Sequence, residues 1–292
     1  MTASHDQVVV GIDGSDTSLT ATKWAADEAR RRGTTLSLVH ACVPPAVRHP
    51  TTLASQADYI DALTDHGRVW LREARAVARH AAPGLPVRQD LRVGQAAAVV
   101  LEAAERAALV VVGSRGLGGF RALTVGSVST AVAHHASCPV VVIREGIEPN
   151  ADGPVVVGVE GSPASDAALA FAFAQAARRA LPLVAVHTWS DVAYPGLWTA
   201  VPLGVDWGEV TESEAALLDA RLAAYRVDYP DVPVRPVVTR DRPVRALLTH
   251  ADSASLLVVG NRRRHALTGP GTGSTSTALL HLCPCPLAVV RP

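Results

Sequence analysis

Four cysteines in 292 residues are too few for a disulfide-stapled scaffold. Aromatic residues make up only 4% of the chain, which argues against a base-stacking platform for single strands. An excess of either charge is also missing. Lys+Arg is 27 and Asp+Glu is 27, so a surface built on many phosphate contacts is not indicated. No apolar run approaches the roughly 20 residues that a membrane helix needs. Met1 to Gln7 is polar and has neither the basic nor the apolar region of a secretory signal. The expectation is a cytoplasmic protein that engages neither membrane nor nucleic acid. What is present is a packing composition, 48% hydrophobic and 18% charged. At about 150 residues per domain, the length suggests two compact domains.

The chain repeats itself. Shifted by 147 residues, Val8-Val9-Val10-Gly11 falls on Val155-Val156-Val157-Gly158, and Gly14-Ser15 on Gly161-Ser162. Val39-His40 falls on Val186-His187, and Val111-Val112-Gly113 on Val258-Val259-Gly260. Gly126-Ser127 falls on Gly273-Ser274, and Cys138-Pro139 on Cys285-Pro286. A constant shift means two copies of one domain, expected over 1–146 and 153–292. The joint, Glu145 to Gly153, holds Pro149-Asn150 and Asp152-Gly153-Pro154, which favour turns.

Each copy alternates strand and helix patterns. In the first, Val8–Ile12, Leu36–Cys42, Val87–Val93, Leu109–Gly113 and Val140–Ile143 read as strands. Ser18–Arg32, Ala57–His80, Gln95–Arg106 and Ser127–His135 read as helices, with an irregular loop over Val43–Gln56. The α/β order predicts two tandem, open, parallel five-stranded sheets with helices on both faces. With right-handed crossovers, one common topology puts the first and fourth strands side by side at the centre. Ligands of such sheets bind at the carboxyl ends of the strands beside that reversal. The residues there are Asp13-Gly14-Ser15 and the stretch Gly113 to Ser127.

Gly113-Ser114-Arg115-Gly116, nine further residues, and Gly126-Ser127 make a glycine-bearing loop that opens a helix. Glycine permits positive φ and close backbone approach. Successive N–H groups and a helix N-terminus favour phosphate. Arg115 and Arg121 add positive charge, and Ser127 a hydroxyl. The plainer reading is a flexible loop with a serine N-cap. Asp13 could accept from ribose hydroxyls or help hold a metal beside phosphates. The plainer alternative is an Asx-turn or a cap for the following helix. Backbone at His40-Ala41 would form a third wall that could meet an adenine edge.

Together, Val-Gly-Ile-Asp-Gly-Ser at the first strand and Gly113-x2-Gly116-x9-Gly126-Ser127 resemble the ATP-binding branch of the universal stress protein family. The resemblance covers both halves, in the tandem layout of two-domain members common in actinobacteria. It implies ATP as ligand, with Mg2+ left open beside it. The contacting set would be Gly11, Asp13, Ala41, Gly113, Ser114, Arg115, Gly116, Gly126 and Ser127 in the first copy. In the second it would be Gly158, Glu160, Thr188, Gly260, Arg262, Gly273, Ser274 and Thr275. The resemblance further implies a dimer-forming last strand and a role in stress adaptation or growth control. Val140–Ile143 and Leu287–Val290, last strands placed at a sheet edge by this topology, are expected to pair the two copies of a chain, with a second chain adding by another surface to give a homodimer.

The copies are not equivalent. Glu160 stands in place of Asp13, one methylene longer, and Arg263 in place of Gly116. If that position needs positive φ, a side chain costs about 1 kcal/mol or more. Arg262-Arg263-Arg264 could still draw phosphates, and Gly269, Gly271 and Gly273 keep the loop pliable. The expectation is one ATP site in the first copy and a weaker or altered one in the second. His40 and His187 read as satisfied core or loop histidines, and His134 and His135 as cations suited to a helix end. Cys283-Pro284-Cys285 is not a Cys-x-x-Cys motif, and a small buried residue is the simpler role for Cys138 and Cys285. Trp189, Trp198 and Trp207 fall in or beside one loop and would cover core or an interface. No Walker lysine, no nucleophile elbow and no positioned base is visible, so any hydrolysis should be slow. The alternatives to a nucleotide-dependent regulator are an adenylyl-transfer or electron-transfer enzyme domain, and a ligand-free dimerisation module.

Overall fold

A computed structural model describes residues 7–43, 56–117, 125–147, 150–189, 206–261 and 274–292. The chain divides into two compact units, Met1–Ile147 and Glu148–Pro292. The first unit runs β1 Gln7–Ile12, α1 Asp16–Arg32, β2 Thr35–Cys42, α2 Gln56–Ala81, β3 Val87–Val93, α3 Ala96–Ala104, β4 Ala107–Gly113, α4 Ser127–His135 and β5 Val140–Ile143. The second runs β6 Val155–Val159, α5 Pro163–Arg179, β7 Leu183–Trp189, α6 Trp207–Asp228, β8 Val234–Arg240, α7 Pro243–Ala251, β9 Leu256–Gly260, α8 Ser274–Leu282 and β10 Leu287–Val290. Most element boundaries in the two units differ by the 147-residue shift of the sequence, to within a residue or two.

Within the first unit the strand order is β3-β2-β1-β4-β5, and its pairings are parallel. The second unit repeats it as β8-β7-β6-β9-β10. The order reverses between β1 and β4, and again between β6 and β9, which is the common topology expected with right-handed crossovers. Central strands covered on both faces must be apolar throughout, and Val8, Val9, Val10, Val110 and Val111 are fully buried. At the outer edge of the second sheet, Pro236 sits within β8, a position open to proline because an edge strand leaves one row of groups unpaired.

Local chemistry sets the helix ends. Ser15 caps α1 by accepting from Ser18 N–H, and Gly33 closes it in the left-handed region at φ 65°. Ala21, Trp24, Ala25 and Ala29 form its buried face. α5 repeats this plan with Ser162 as cap and Pro163 in the first turn. It ends on Ala180 at φ 53°, where the first copy has glycine. Buried Glu28 accepts from Arg32 Nε at 2.6 Å; in the second copy Gln175 accepts from Arg179 Nε at 3.0 Å. The same i, i+4 position within the helix thus holds an ion pair in one unit and a neutral acceptor in the other.

Candidate functional site

The carboxyl ends of β1 and β4 open onto a cavity of about 410 Å3. Gly11, Asp13, Ala41, Gly113, Arg115, Gly116, Gly126 and Ser127 line it, so eight of the nine residues proposed for the first copy come together. The ninth, Ser114, does not. It is buried, its N–H donates to Ile143 O at 2.6 Å, and its carbonyl accepts from Gly126 N–H at 2.7 Å. Ser114 therefore ties the start of the loop to β5 and to the start of α4. Arg121 lies outside the described residues, as does most of the Val43–Gln56 loop.

Asp13 forms an Asx-turn. Its Oδ1 accepts from Ser15 N–H at 3.1 Å and from Ser15 Oγ at 2.6 Å. The helix cap is Ser15, so the capping alternative for Asp13 does not hold. Its other oxygen, Oδ2, accepts from Leu117 N–H at 3.2 Å and so reaches across to the loop after β4. The carboxylate joins the two strand ends while still facing the cavity.

The glycines act differently from the expectation. Gly113, Gly116 and Gly126 are not in the left-handed region. A β-carbon at Gly113 would stand 2.8 Å from Thr17 Cγ2, so this glycine lets β4 approach α1. A β-carbon at Gly116 would overlap Asp13 Oδ2, so this one lets the loop pass the carboxylate. Positive φ belongs instead to Gly14, at 83°, with Trp70 of α2 packed against it. Gly126, not Ser127, is the N-cap of α4, and among the described residues no side-chain cap bond closes that end. The first N–H groups of α4 thus remain available beside the cavity, and Ser127 is exposed.

Ser129, Ala96 and Val100 also line the cavity and were not anticipated. Ser129 Oγ donates to Gly113 O at 2.6 Å, binding α4 to the end of β4. Its signal was in the repeat: Gly126-Ser127-x-Ser129 recurs as Gly273-Ser274-x-Ser276. His40 is buried, with Nδ1 2.7 Å from Ile12 O and its ring edge-on to Trp70 at 5.2 Å. That is a satisfied histidine forming a wall.

The second unit differs at the matching strand ends. Glu160 is exposed and accepts from Ser162 Oγ at 2.7 Å, while its own N–H donates to Ser165 Oγ. His187 bridges Val159 O, at 2.8 Å, and Glu214 Oε2, at 2.9 Å. Arg221 of α6 donates to Gly161 O at 3.1 Å and pairs with Asp166 at 3.2 Å. Side chains of α6 therefore tie down strand ends that α2 covers with Gly67 and Trp70 in the first unit. Gly158 is the penultimate residue of β6 and Gly260 the last of β9, with Thr188 near the end of β7 and Ser274 and Thr275 opening α8. Arg262, Arg263, Arg264, Gly269, Gly271 and Gly273 lie outside the described residues.

All four cysteines are free and buried. Burial pushes the Cys138 thiol up to about 12 and raises Cys42 more modestly. Cys283 and Cys285 stand 3.6 Å apart, and the hydrogen bond with Cys283 together with burial holds Cys285 protonated. Among the described residues no group of three or more His, Cys, Asp or Glu is placed to hold a metal. Trp189 and Trp207 stack at 5.8 Å beneath the Arg240 guanidinium, whereas Trp198 is not described.

A parallel five-stranded sheet with a reversal at its centre and helices on both faces defines a Rossmann-like α/β domain, present here twice. The chain belongs to the universal stress protein family, whose model matches residues 5–144 and 153–291. A universal stress protein of Mycolicibacterium smegmatis is 36% identical over 99% of this chain and 98% of its own length. One from Mycobacterium tuberculosis is 37% identical over 97% of this chain and 96% of its own. The crystal structure of a universal stress protein from Archaeoglobus fulgidus shares the fold, with a TM-score of 0.73 at 20% identity over 98% of both chains. Among the described residues no helix is long and apolar enough to cross a membrane.

Proposed function

We propose that this protein binds ATP in its first domain and acts as a nucleotide-dependent regulator of stress adaptation or growth in the cytoplasm. The carrying observation is the cavity between β1 and β4, where Asp13, the loop from Gly113 to Gly116 and the uncapped start of α4 converge. A volume of about 410 Å3 falls in the range of small-molecule sites. The residues fit a nucleoside polyphosphate. The free N–H groups of α4 and the exposed Ser127 suit phosphate oxygens. Arg115 lines the same cavity and supplies a cation. The Asp13 carboxylate suits ribose hydroxyls, and the backbone of Ala41 stands where a base edge could pair. Mg2+ would arrive with the phosphates, since Asp13 is the acidic side chain of the lining.

In this reading the site binds, orients and shelters the nucleotide. Among the described lining residues the possible bases are Asp13 and His40, and both are already hydrogen-bonded within the fold, so any turnover is expected to be slow. The second domain has a weaker or altered site. The working assembly is a homodimer in which the two domains of each chain pair with one another. Mass spectrometry of small molecules released on denaturing the purified protein tests this reading. ATP or ADP is expected; a flavin, or an activated acyl-adenylate, would favour an enzyme domain instead. Absence of any nucleotide, together with no binding of added ATP, would overturn the proposal.

A further inference from the structure

Arg115 reaches the cavity, yet it also has a partner. Its Nη1 pairs with Glu145 Oε2 at 3.3 Å. Its Nε is buried and has no hydrogen-bond partner. Glu145 stands two residues beyond β5, where the chain leaves the first domain, and Gly146 turns the backbone immediately after it at φ 72°. One guanidinium therefore links the candidate phosphate loop to the segment that leads into the second domain.

We propose that Arg115 and Glu145 form a latch that nucleotide opens: the polyphosphate competes with the Glu145 carboxylate for Arg115, and filling the cavity frees the segment 144–147. The inference rests on the nucleotide reading above and adds a means by which occupancy is reported to the rest of the chain. The energetics allow it. The two side chains are 34% and 56% exposed, so the pair is screened by water. An exposed pair of this kind shifts an equilibrium by no more than about fivefold. A polyphosphate offers several anionic oxygens to a planar, forked guanidinium, and it does so beside the free N–H groups of α4. The stronger anion takes the arginine. The latch belongs to the first copy alone, because the residue in register with Glu145 is Pro292, which has no acidic side chain.

The test uses the full chain, its Glu145→Gln variant, ATP and adenosine. Calorimetric titration of the variant is expected to show ATP binding tightened by about two- to fivefold, the hold of a screened pair. Adenosine affinity should be unchanged, since it carries no phosphate to compete. In the wild-type chain, ATP should speed amide exchange over 144–147, and adenosine should not. If the wild type binds ATP while Glu145→Gln leaves that affinity unaltered, or shifts adenosine equally, the latch is wrong and the nucleotide reading stands. Bound ATP with unchanged exchange over 144–147 overturns the latch in the same way. A wild type that binds neither ligand overturns both.

Discussion

Asp13 and Gly116 form one unit of design, because the space a β-carbon would need at Gly116 is already held by the Asp13 carboxylate. Asp13→Ala removes an acceptor and should weaken ATP by about tenfold or more, the scale of a hydrogen bond to a charged group. Gly116→Ala should weaken it as well, by pushing loop and carboxylate apart. In the Asp13→Ala background the extra cost of Gly116→Ala should largely vanish. Additive losses across the four proteins, read by titration and thermal melting, would contradict a steric coupling. The second copy changes both positions together, to Glu160 and Arg263, as such coupling would require. The cysteines give a separate expectation at this scale. A thiol held up to about 12 when folded, against 9.0 ordinarily, favours the folded state fully below pH 9. That contribution is lost as pH rises toward 12, because the unfolded chain gives up its proton first. Melting temperature should therefore fall through this window, and less steeply in Cys138→Ala. An identical slope in the variant would show that Cys138 is not the group concerned.

At the level of elements, the glycines that end β4 and β9 serve packing before they serve a ligand. A β-carbon at Gly113 would meet the Thr17 side chain, and one at Gly260 would meet the Ala164 carbonyl oxygen at 2.5 Å. At Gly113 the closest atom is a side-chain methyl and the Thr17 backbone carbon is 3.2 Å away, whereas at Gly260 helix backbone itself stands at 2.5 Å and cannot turn aside. Gly113→Ala should therefore cost about 1–3 kcal/mol as overpacking, and Gly260→Ala more. Thr17→Ser should recover part of the Gly113→Ala loss. Equal destabilisation at both sites, or no rescue, would reject this account. The expectation that the loop glycines serve positive φ and close approach to a ligand is thus revised at Gly113, which also makes room for Thr17. Much of the element plan was legible in advance. β3, α4 and β5 begin and end where the alternation of residue types placed them, and the reversal between β1 and β4 is the common topology that right-handed crossovers allow. The cavity's position followed in turn. What stayed hidden was tertiary. A glycine in a sequence does not disclose whether it is kept for positive φ, as at Gly14, or for a neighbour's side chain, as at Gly113 and Gly116. Likewise Ser127 looked like a cap from composition, but the chain enters α4 one residue earlier, at Gly126.

Across the whole molecule, the repeat gives one protein two versions of the same strand ends, and the versions have diverged in different directions. In the first, Gly67 and Trp70 of α2 pack beside His40 and Gly14, and the cavity stays lined by glycine backbone. In the second, Glu214 and Arg221 of α6 reach the matching positions and engage His187, Gly161 and Asp166. These polar ties consume the acceptors that a ligand would otherwise meet, and Glu160 is already turned to Ser162. A nucleotide entering the second domain would have to exchange those contacts for its own, with little net gain per hydrogen bond. Entering the first domain, it meets uncapped N–H groups and an exposed serine. The two sites should consequently differ in affinity by well over tenfold, a gap of about 1.4 kcal/mol or more that a few charged hydrogen bonds readily supply. Calorimetric titration of the nucleotide-free chain should resolve one dominant ATP site per 292 residues. In the Asp13→Ala variant that site should bind about tenfold or more weakly, which brings it toward the second. Two equal sites in the wild-type chain, or a dominant site whose affinity Asp13→Ala leaves unchanged, would contradict the assignment of ATP to the first copy.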